Sequence, residues 1–217
     1  MRAIIFANGI LSMPDPPYQL FQPGDMVIAA DGGLLHCLAL GILPNVLIGD
    51  FDSIHPDHLA SMRAQGVQVI QHPSRKDCTD LELALHHAQR SGAEEIILLG
   101  ALGARWDQTL ANLLLPVSAE MKGVRISILE GTQEIRFIDS RSAPAIMDIQ
   151  GKPGDTLSLI PLVGDANGVT THGLEYSLQD ENLLFGATRG ISNLFCEEQA
   201  RIELKHGLLV CIVSRQG

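Results

Sequence analysis

The fold class follows from the stretch Met26-Val27-Ile28-Ala29-Ala30-Asp31-Gly32-Gly33. Its five apolar residues show no polar alternation, which predicts a strand buried on both faces, and the Asp-Gly-Gly that follows predicts a tight turn. The same order recurs in Val46-Leu47-Ile48-Gly49-Asp50-Phe51-Asp52-Ser53. Strands that are apolar on both faces are typical of parallel sheets covered by helices, so both stretches indicate an α/β domain.

Outward from this stretch, short apolar runs alternate with helical patterns as far as residue 139. Further strands are predicted at Ala3–Ala7, Val67–Ile70, Glu95–Leu99 and Val124–Leu129. Apolar residues recur with the helical period at Leu81, Ala84, Leu85 and Ala88, and again at Leu110, Leu113, Leu114, Val117 and Met121, across a kink predicted at Pro116. We therefore predict that residues 1–139 form an α/β domain with a Rossmann-like, mostly parallel sheet, and that each helix packs one face on that sheet.

After residue 139 the helical period disappears. Short runs separated by Gly, Asn and Asp predict strands at Thr156–Leu162, Gly168–Thr171, Glu175–Leu178, Asn182–Phe185, Ala200–Leu204 and Leu208–Val213. A series of this kind predicts a small all-β sandwich, or a partly open barrel, over residues 140–217.

Composition excludes several classes of protein. Hydrophobic residues make up 46% of the 217 residues and charged residues 18%, which predicts a globular chain with a sizeable core. Fifteen Lys and Arg against 25 Asp and Glu give a net charge of −10, which argues against nucleic-acid binding.

No apolar run is long enough for a membrane span, and the apolar segment after Met1 is too short for a signal peptide, so we expect a cytoplasmic protein without a membrane partner. The four cysteines are widely separated and form no C-x-x-C pair, so neither a zinc site nor a disulfide framework is predicted.

Carboxylates follow three of the predicted strands at the point where each strand ends. They are Asp31, Asp50 and Asp52, and, in the loop after Glu95–Leu99, Asp107. The carboxyl ends of parallel strands meet at one edge of a sheet, so we expect these side chains to lie close together. Asp50 and Asp52 are two residues apart, which places both on one side of an extended backbone, and such a pair can hold Mg²⁺ together with phosphate oxygens. Turn and cap chemistry explains any one of these residues equally well, but explains the whole set poorly.

Charged residues also precede the predicted helix Leu81–Ala88. Asp77 fits the N-cap of that helix with Asp80 as an acid at the third position, which would leave Asp80 free to face the strand ends. Lys76 offers a point charge for a phosphate group. Arg105 is either a surface charge or a phosphate clamp in the loop after Glu95–Leu99.

Absent motifs narrow the choice of chemistry. The chain has no G-x-x-x-x-G-K-[ST] phosphate loop, no complete G-x-G-x-x-G dinucleotide motif and no G-x-S-x-G nucleophile elbow. The pairs His55/His58 and His86/His87 lack a third metal ligand. Acidic loops with two basic groups and no candidate nucleophile favour metal-assisted phosphoryl-type transfer, in which positioning and charge neutralisation do most of the catalysis.

At these residues the chain resembles the thiamine pyrophosphokinase family. The similar segments of the first domain are Asp31–Gly33, Gly49–Ser53, Lys76–Asp80 followed by Leu83–Leu85, and Gly100–Asp107 with Leu110–Asn112. In the second domain Ser158–Leu162, Gly168–Leu174 and Thr188–Asn193 resemble the thiamine-binding β domain, in the same order and at the family's spacing. The resemblance therefore covers nearly the whole chain.

This resemblance implies a homodimeric enzyme that moves the β,γ-pyrophosphoryl group of ATP to the hydroxyl of thiamine and releases AMP. It places the active site where one subunit's catalytic domain meets the other subunit's β domain. The residues it implies are Asp50, Asp52 and Asp80 around Mg²⁺ and the triphosphate, Asp31 and Asp107 in the same acidic pocket, and Ser192 and Asn193 toward thiamine. With ATP as the substrate, the phosphate contacts predicted from residue chemistry, Lys76 and Arg105, would bind ATP. An acidic pocket suits the cationic thiazolium of thiamine, and ATP enters such a pocket with Mg²⁺.

The chain departs from the family pattern at two places. Ala104 and Gln108 stand where many members have Gly and His, which puts any role of that His in doubt here. The nearest aromatic after the Ser-Asn pair is Phe195, which either stacks on thiamine or is a core residue. Trp106 is expected to pack near the nucleotide pocket rather than take part in chemistry.

Two alternative functions stay open at this point. One is a pyrophosphokinase for another hydroxyalkyl acceptor, such as a pterin; the thiamine-like β domain argues against it. The other is a non-catalytic thiamine or nucleotide sensor, which would be expected to have lost some of the acidic residues that this chain retains.

Overall fold

The computed structural model describes residues 1–14, 20–103 and 105–216, which belong to two compact units, Met1–Gly131 and Thr132–Gly217. The units divide earlier in the chain than the boundary predicted after residue 139. The intervening strand, Gln133–Asp139, belongs to the second unit because it pairs along its length with Leu208–Ser214.

The first unit contains a parallel sheet. Its strands are β1 Arg2–Phe6, β2 Met26–Ala30, β3 Val46–Gly49, β4 Gln68–Gln71, β5 Glu95–Leu99 and β6 Arg125–Glu130. Within this unit they lie in the order β6-β5-β1-β2-β3-β4, and each neighbouring pair is parallel. The mixed α/β class with a mostly parallel sheet is thereby confirmed. Because the strand order reverses between β1 and β5, the carboxyl ends of these two strands border a crevice of the kind in which open α/β sheets bind ligands.

Helices follow the strands of the first unit. They are α1 Gly33–Ala39, α2 Pro56–Ala64, α3 Asp80–Arg90 and α4 Trp106–Leu114. Leu34 and Cys37 of α1 and Met62 of α2 share a core with alternate residues of the central strands. Helix α3 contacts the same strands, but its buried side chains do not belong to that core, so it covers the other face of the sheet. Over the described ranges no helix is long and apolar enough to span a membrane.

The prediction that each helical stripe packs on the sheet is right for α3 and wrong for α4. The buried residues of α3 are the four predicted ones, Leu81, Ala84, Leu85 and Ala88. In contrast, α4 has no buried residue, and Trp106, Leu110 and Leu114 are 83%, 60% and 50% exposed. Helix α4 also ends at Leu114 instead of bending at Pro116, which lies in a following 3₁₀ turn because proline lacks the N–H that would continue the helix.

The second unit is entirely β. Its strands are β7 Gln133–Asp139, β8 Ala145–Gln150, β9 Thr156–Pro161, β10 Ala166–His172, β11 Glu181–Leu183, β12 Asn193–Leu194, β13 Gln199–His206 and β14 Leu208–Ser214. They form the antiparallel arrays β12-β9-β14-β7 and β11-β10-β13-β8, and residues of both arrays share one hydrophobic core. The predicted strand Glu175–Leu178 is wrong. That segment is a loop, in which the Leu178 N–H donates to the side-chain hydroxyl of Thr171 in β10 rather than to a backbone carbonyl.

Candidate active site

A pocket of about 290 Å³ opens at the carboxyl ends of the central strands of the first unit. Its lining comes from five segments: Asn8 and Gly9 after β1, Asp31 after β2, Asp50 after β3, Lys76, Cys78 and Thr79 before α3 with Asp80 at the start of that helix, and Ala101 and Gly103 after β5. Gln108, Ala111 and Asn112 of α4 complete it. The pocket lies at the reversal of strand order, so the topology brings these distant segments together.

The backbone turns sharply at the ends of β2 and β3. Asp31 and Phe51 both have positive φ, 45° and 65°, a conformation that costs a non-glycine residue roughly 1–3 kcal/mol. The Asp31 N–H donates to the Ile48 carbonyl at 2.7 Å, and the Phe51 side chain is buried in the core, so both turns are held in place. The extended backbone predicted for Asp50 and Asp52 is therefore wrong. The two carboxylates meet because the chain turns at Phe51, where the Asp52 N–H donates to Asp50 Oδ1 at 3.3 Å.

Three carboxylates converge on one point. One oxygen each of Asp31, Asp50 and Asp52 lies within 4.8 Å of the others. Asp31 is only 9% exposed; its Oδ2 accepts the Ser53 hydroxyl at 2.7 Å, while its buried Oδ1 has no hydrogen-bond partner among the described residues. A buried oxygen without a partner is costly, and carboxylate oxygens are the ligands that Mg²⁺ prefers. The donor set therefore fits a hard divalent cation.

A lysine joins the rim of this cluster. Lys76 Nζ lies 2.7 Å from Asp80 Oδ1 and 3.8 Å from Asp50 Oδ2. Burial raises the pKa of Asp80, the Lys76 ammonium opposes that rise, and the negative charges of Asp31 and Asp50 add to it. The predicted N-cap Asp77 is wrong, because Thr79 caps α3 by accepting the Glu82 N–H. Asp80 is the first residue of α3 and lines the pocket, as predicted.

The structure does not bring Asp107 and Arg105 to the pocket lining. Their side chains are 65% and 63% exposed and form an ion pair with each other at 2.5 Å, which lowers the pKa of Asp107. Asn8, which the sequence motifs did not indicate, lines the pocket instead, as does Asn112, whose Nδ2 donates to the Ala101 carbonyl at 2.7 Å. The signal for Asn8 was its position after β1, since a polar residue at a fourth strand end reaches the same edge.

Ser192 and Asn193 lie at the start of β12 in the second unit. Ser192 has φ 57°, and its N–H donates to the Ser158 hydroxyl at 3.0 Å. Asn193 Oδ1 accepts the N–H of Tyr176 at 3.0 Å and that of Leu194 at 2.9 Å, and its Nδ2 donates to the Tyr176 carbonyl at 2.8 Å. The Asn193 amide therefore holds the backbone of Tyr176 in place, and Tyr176 is 65% exposed.

Comparison with known proteins identifies the family. A family model described as the catalytic domain of thiamin pyrophosphokinase matches residues 18–128, about half of the chain. The chain belongs to the thiamin pyrophosphokinase family. A second model, the vitamin B1 binding domain of the same enzyme, matches residues 145–209. With both domains present, the chain is a thiamine diphosphokinase.

Known members of the family are similar along most of the chain. Thiamine pyrophosphokinase of Bacillus subtilis (strain 168) is 28% identical over 188 residues, which cover 86% of each protein. Thiamine pyrophosphokinase 1 of Arabidopsis thaliana is 31% identical over 76% of this chain and 64% of its own length. Among solved structures, that of the Bacillus subtilis enzyme has a TM-score of 0.88 at 27% identity, and that of an Enterococcus faecalis family protein 0.85 at 26%. Each comparison covers all of both chains.

Phe195 is a core residue of the second unit. It is 2% exposed, and its ring approaches Gly151 so closely that a Cβ there would lie 2.7 Å from the ring. The predicted stacking of Phe195 on thiamine is therefore wrong, because no face of the ring is free. Tyr176 is the exposed aromatic beside Asn193; the signal for it was an aromatic two residues after the thiamine-domain segment Gly168–Leu174.

The structure also shows where Trp106 lies and where one of the residues that depart from the family pattern lies. Trp106 is exposed, which corrects the expectation that it packs near the nucleotide pocket. Gln108 lines the pocket where many members of the thiamin pyrophosphokinase family have His. Ala104 lies outside the described residues.

A larger and more open groove, of about 590 Å³, lies at the opposite, amino-terminal edge of the sheet. Its Asp25 carboxylate is bound by Arg2 at 2.6 Å, and its Asn45 side-chain oxygen accepts the Val27 N–H at 2.7 Å. These polar groups already have partners, so the smaller carboxyl-edge pocket is the better candidate for catalysis.

Proposed function

We propose that this chain transfers the β,γ-pyrophosphoryl group of ATP to the hydroxyl of thiamine in a Mg²⁺-dependent reaction that releases AMP. The observation that carries the proposal is the cluster of Asp31, Asp50 and Asp52, with its unpartnered buried oxygen, at the switch point of a parallel sheet. The family models for both domains support the two substrates. In this proposal the first unit is a Rossmann-like domain for ATP and Mg²⁺, and the second a β-sandwich for thiamine. The cytoplasmic location stays a prediction.

The residues have distinct proposed tasks. Asp31, Asp50 and Asp52 would hold Mg²⁺, with Asp80 beside them, and Lys76 would contact a phosphate group of ATP. The chemistry that Mg²⁺ supplies when bound is neutralisation of charge on the phosphate oxygens. The remaining negative field of the pocket attracts the cationic thiazolium. The contributions of Asp107 and Arg105 stay predictions.

The activity is tested by incubating the pure protein with ATP and Mg²⁺ and, in parallel, with thiamine, a hydroxymethylpterin or no acceptor. We expect AMP and thiamine diphosphate with thiamine alone. AMP formation with the pterin would support the alternative acceptor, and ADP would indicate transfer of a single phosphoryl group. Thiamine binding without turnover would indicate a sensor.

Tyr176 is the proposed aromatic contact of thiamine. Its ring is exposed, and its backbone is fixed by Asn193 beside Ser192, which supports a rigid platform for a flat cation. Tyr176→Ala is expected to weaken thiamine binding by about 0.5–2 kcal/mol, the range of aromatic and cation–π contacts, and Tyr176→Phe to change it little.

Calorimetric titration with thiamine, together with a melting curve for each variant, measures this effect. Phe195→Leu is the matched control, because a core residue lowers the melting temperature instead. Unchanged thiamine affinity in Tyr176→Ala would remove Tyr176 from the thiamine site.

We propose further that the chain is a homodimer and that a second copy covers α4. Trp106, Leu110 and Leu114 are spaced four apart, so they form one exposed apolar stripe on a helix whose Gln108 and Asn112 line the pocket. Gln108 and Asn112 lie on the opposite face of this short helix, so a second copy seated on the stripe would contact the back of the helix that lines the pocket. The active site shared between subunits stays a prediction.

Leu110→Glu is expected to shift the protein from dimer to monomer, because it places a charge within the apolar contact. Light scattering after size-exclusion chromatography measures the mass. Leu43→Glu, at a residue of similar exposure away from α4, is the control and should stay dimeric. A Leu110→Glu protein that remains a dimer at low concentration would exclude this stripe from the interface.

A further inference from the structure

The Asp50 carboxylate is shared between two positively charged partners. It belongs to the candidate metal cluster with Asp31 and Asp52, and its Oδ2 also lies 3.8 Å from Lys76 Nζ. Lys76 makes its shorter contact, 2.7 Å, with Asp80. The side chains of Lys76, Asp50 and Asp80 are 15%, 15% and 25% exposed, so water screens these contacts less than it would at the surface.

Charge in the pocket is unbalanced. Lys76 is the one cation among the described residues that line it, whereas Asp31, Asp50 and Asp80 all contribute carboxylates. The unpartnered Oδ1 of Asp31 lies in the same cluster and favours a further cation. That cation and the Lys76 ammonium would both lie close to Asp50, where like charges repel each other.

We propose that Lys76 is an exchangeable counter-ion that couples metal binding to nucleotide binding. In the free protein its ammonium neutralises Asp50 and Asp80 and thereby weakens the binding of a divalent cation. When a polyphosphate enters, the ammonium moves to a phosphate oxygen and releases the carboxylates to the cation. A lysine suits this exchange because it is a compact charge on a flexible stem. The inference rests on the proposed function only for the identity of the polyphosphate.

The exchange has opposite consequences for the two ligands. Without Lys76 the carboxylates are uncompensated, so a divalent cation should bind the free protein more tightly. ATP without a metal should bind more weakly, because the pocket has lost its positive group. In this proposal the loss of one ammonium therefore changes both affinities, in opposite directions.

The experiment measures Mn²⁺ binding to the nucleotide-free protein by the EPR signal of free Mn²⁺. Lys76→Met is expected to bind Mn²⁺ at least about 5-fold more tightly than the unsubstituted protein, the lower end of usual coupling. Its affinity for ATP in EDTA should fall by a similar factor. Lys76→Arg keeps the charge and should keep the weak Mn²⁺ binding.

Lys205→Met is the matched control, because Lys205 also contacts an aspartate at 2.7 Å, Asp180, but is exposed and lies on β13 of the second unit. It should leave Mn²⁺ affinity unchanged. Should Lys76→Met fail to fold, Lys76→Gln retains a hydrogen-bond donor toward Asp80 and tests the same loss of charge. Equal or weaker Mn²⁺ binding in the folded variant overturns the proposal. Because the readout requires no turnover, tighter Mn²⁺ binding by Lys76→Met together with no AMP formation by the unsubstituted protein would reject the proposed activity and leave the exchange in place.

Discussion

Asp50→Asn and Asp52→Asn are each expected to lower kcat for AMP formation by at least ~100-fold, because loss of a carboxylate that holds the metal removes several kcal/mol of transition-state stabilisation. The oxygens of these residues and Asp31 lie within 4.8 Å of one another, so neither substitution leaves an equivalent ligand set. The free protein should remain folded. Removing one of several neighbouring carboxylates relieves repulsion, so Tm should stay level or rise.

The measurement is the initial rate at saturating thiamine and Mg²⁺-ATP, with a melting curve of each variant. Asp57→Asn is the control. Asp57 is an aspartate of α2 whose side chain is 91% exposed, and its substitution should leave kcat unchanged. Near-normal kcat in both Asp50→Asn and Asp52→Asn would remove the cluster from catalysis. A loss of activity that accompanies a collapsed Tm would instead indicate a structural role.

Gly33→Ala is expected to lower Tm by roughly 5–10 °C, because the new methyl group has no space. A Cβ at Gly33 would lie 2.1 Å from the Phe6 carbonyl oxygen and 2.6 Å from the Phe6 carbonyl carbon. These are backbone atoms of β1, which is hydrogen-bonded on both sides by β2 and β5 and cannot move aside. Helix α1 begins at Gly33 and is therefore able to approach β1 only without a side chain there.

Gly123→Ala is the control for this prediction. Gly123 has φ 90°, but nothing lies within 4 Å of the position that a methyl group would take, so its substitution involves backbone strain alone, on the order of 1 kcal/mol. Differential scanning calorimetry of both variants distinguishes a steric clash with the Phe6 backbone from backbone strain at positive φ. If Gly33→Ala melts no lower than Gly123→Ala, the start of α1 can shift away from β1. The Gly33→Ala variant should also lose activity, since Gly33 follows Asp31 in the same turn.

The parallel sheet could be predicted from local patterns. Strands β2 and β5 have the predicted bounds, because β2 is an uninterrupted apolar run and β5 is interrupted only at its first residue, Glu95. Strands β7, β8 and β12 were missed. Strand β8, Ala145–Gln150, buries only Ile149, so most of it lacks the apolar signal of a strand in a core. Helix α4 has an apolar stripe that is exposed to solvent in the single chain. A sequence pattern alone does not distinguish an apolar face that packs on the sheet from one that binds another molecule.

Local patterns are sufficient to predict the α/β class and the edge of the sheet where Asp31 and Asp50 lie, because strand period and chain direction are local properties, and short motifs are sufficient to indicate the family. Which side chains are accessible to a ligand depends instead on tertiary packing. Phe195 is enclosed by the core while Tyr176 is exposed, and Asn193 binds the Tyr176 backbone. Lys76 reaches Asp50 only because the segment before α3 lies beside the end of β3. The burial of a side chain and its hydrogen-bond partners depend on contacts between residues far apart in the chain. The periodicity of a single segment does not reveal those contacts.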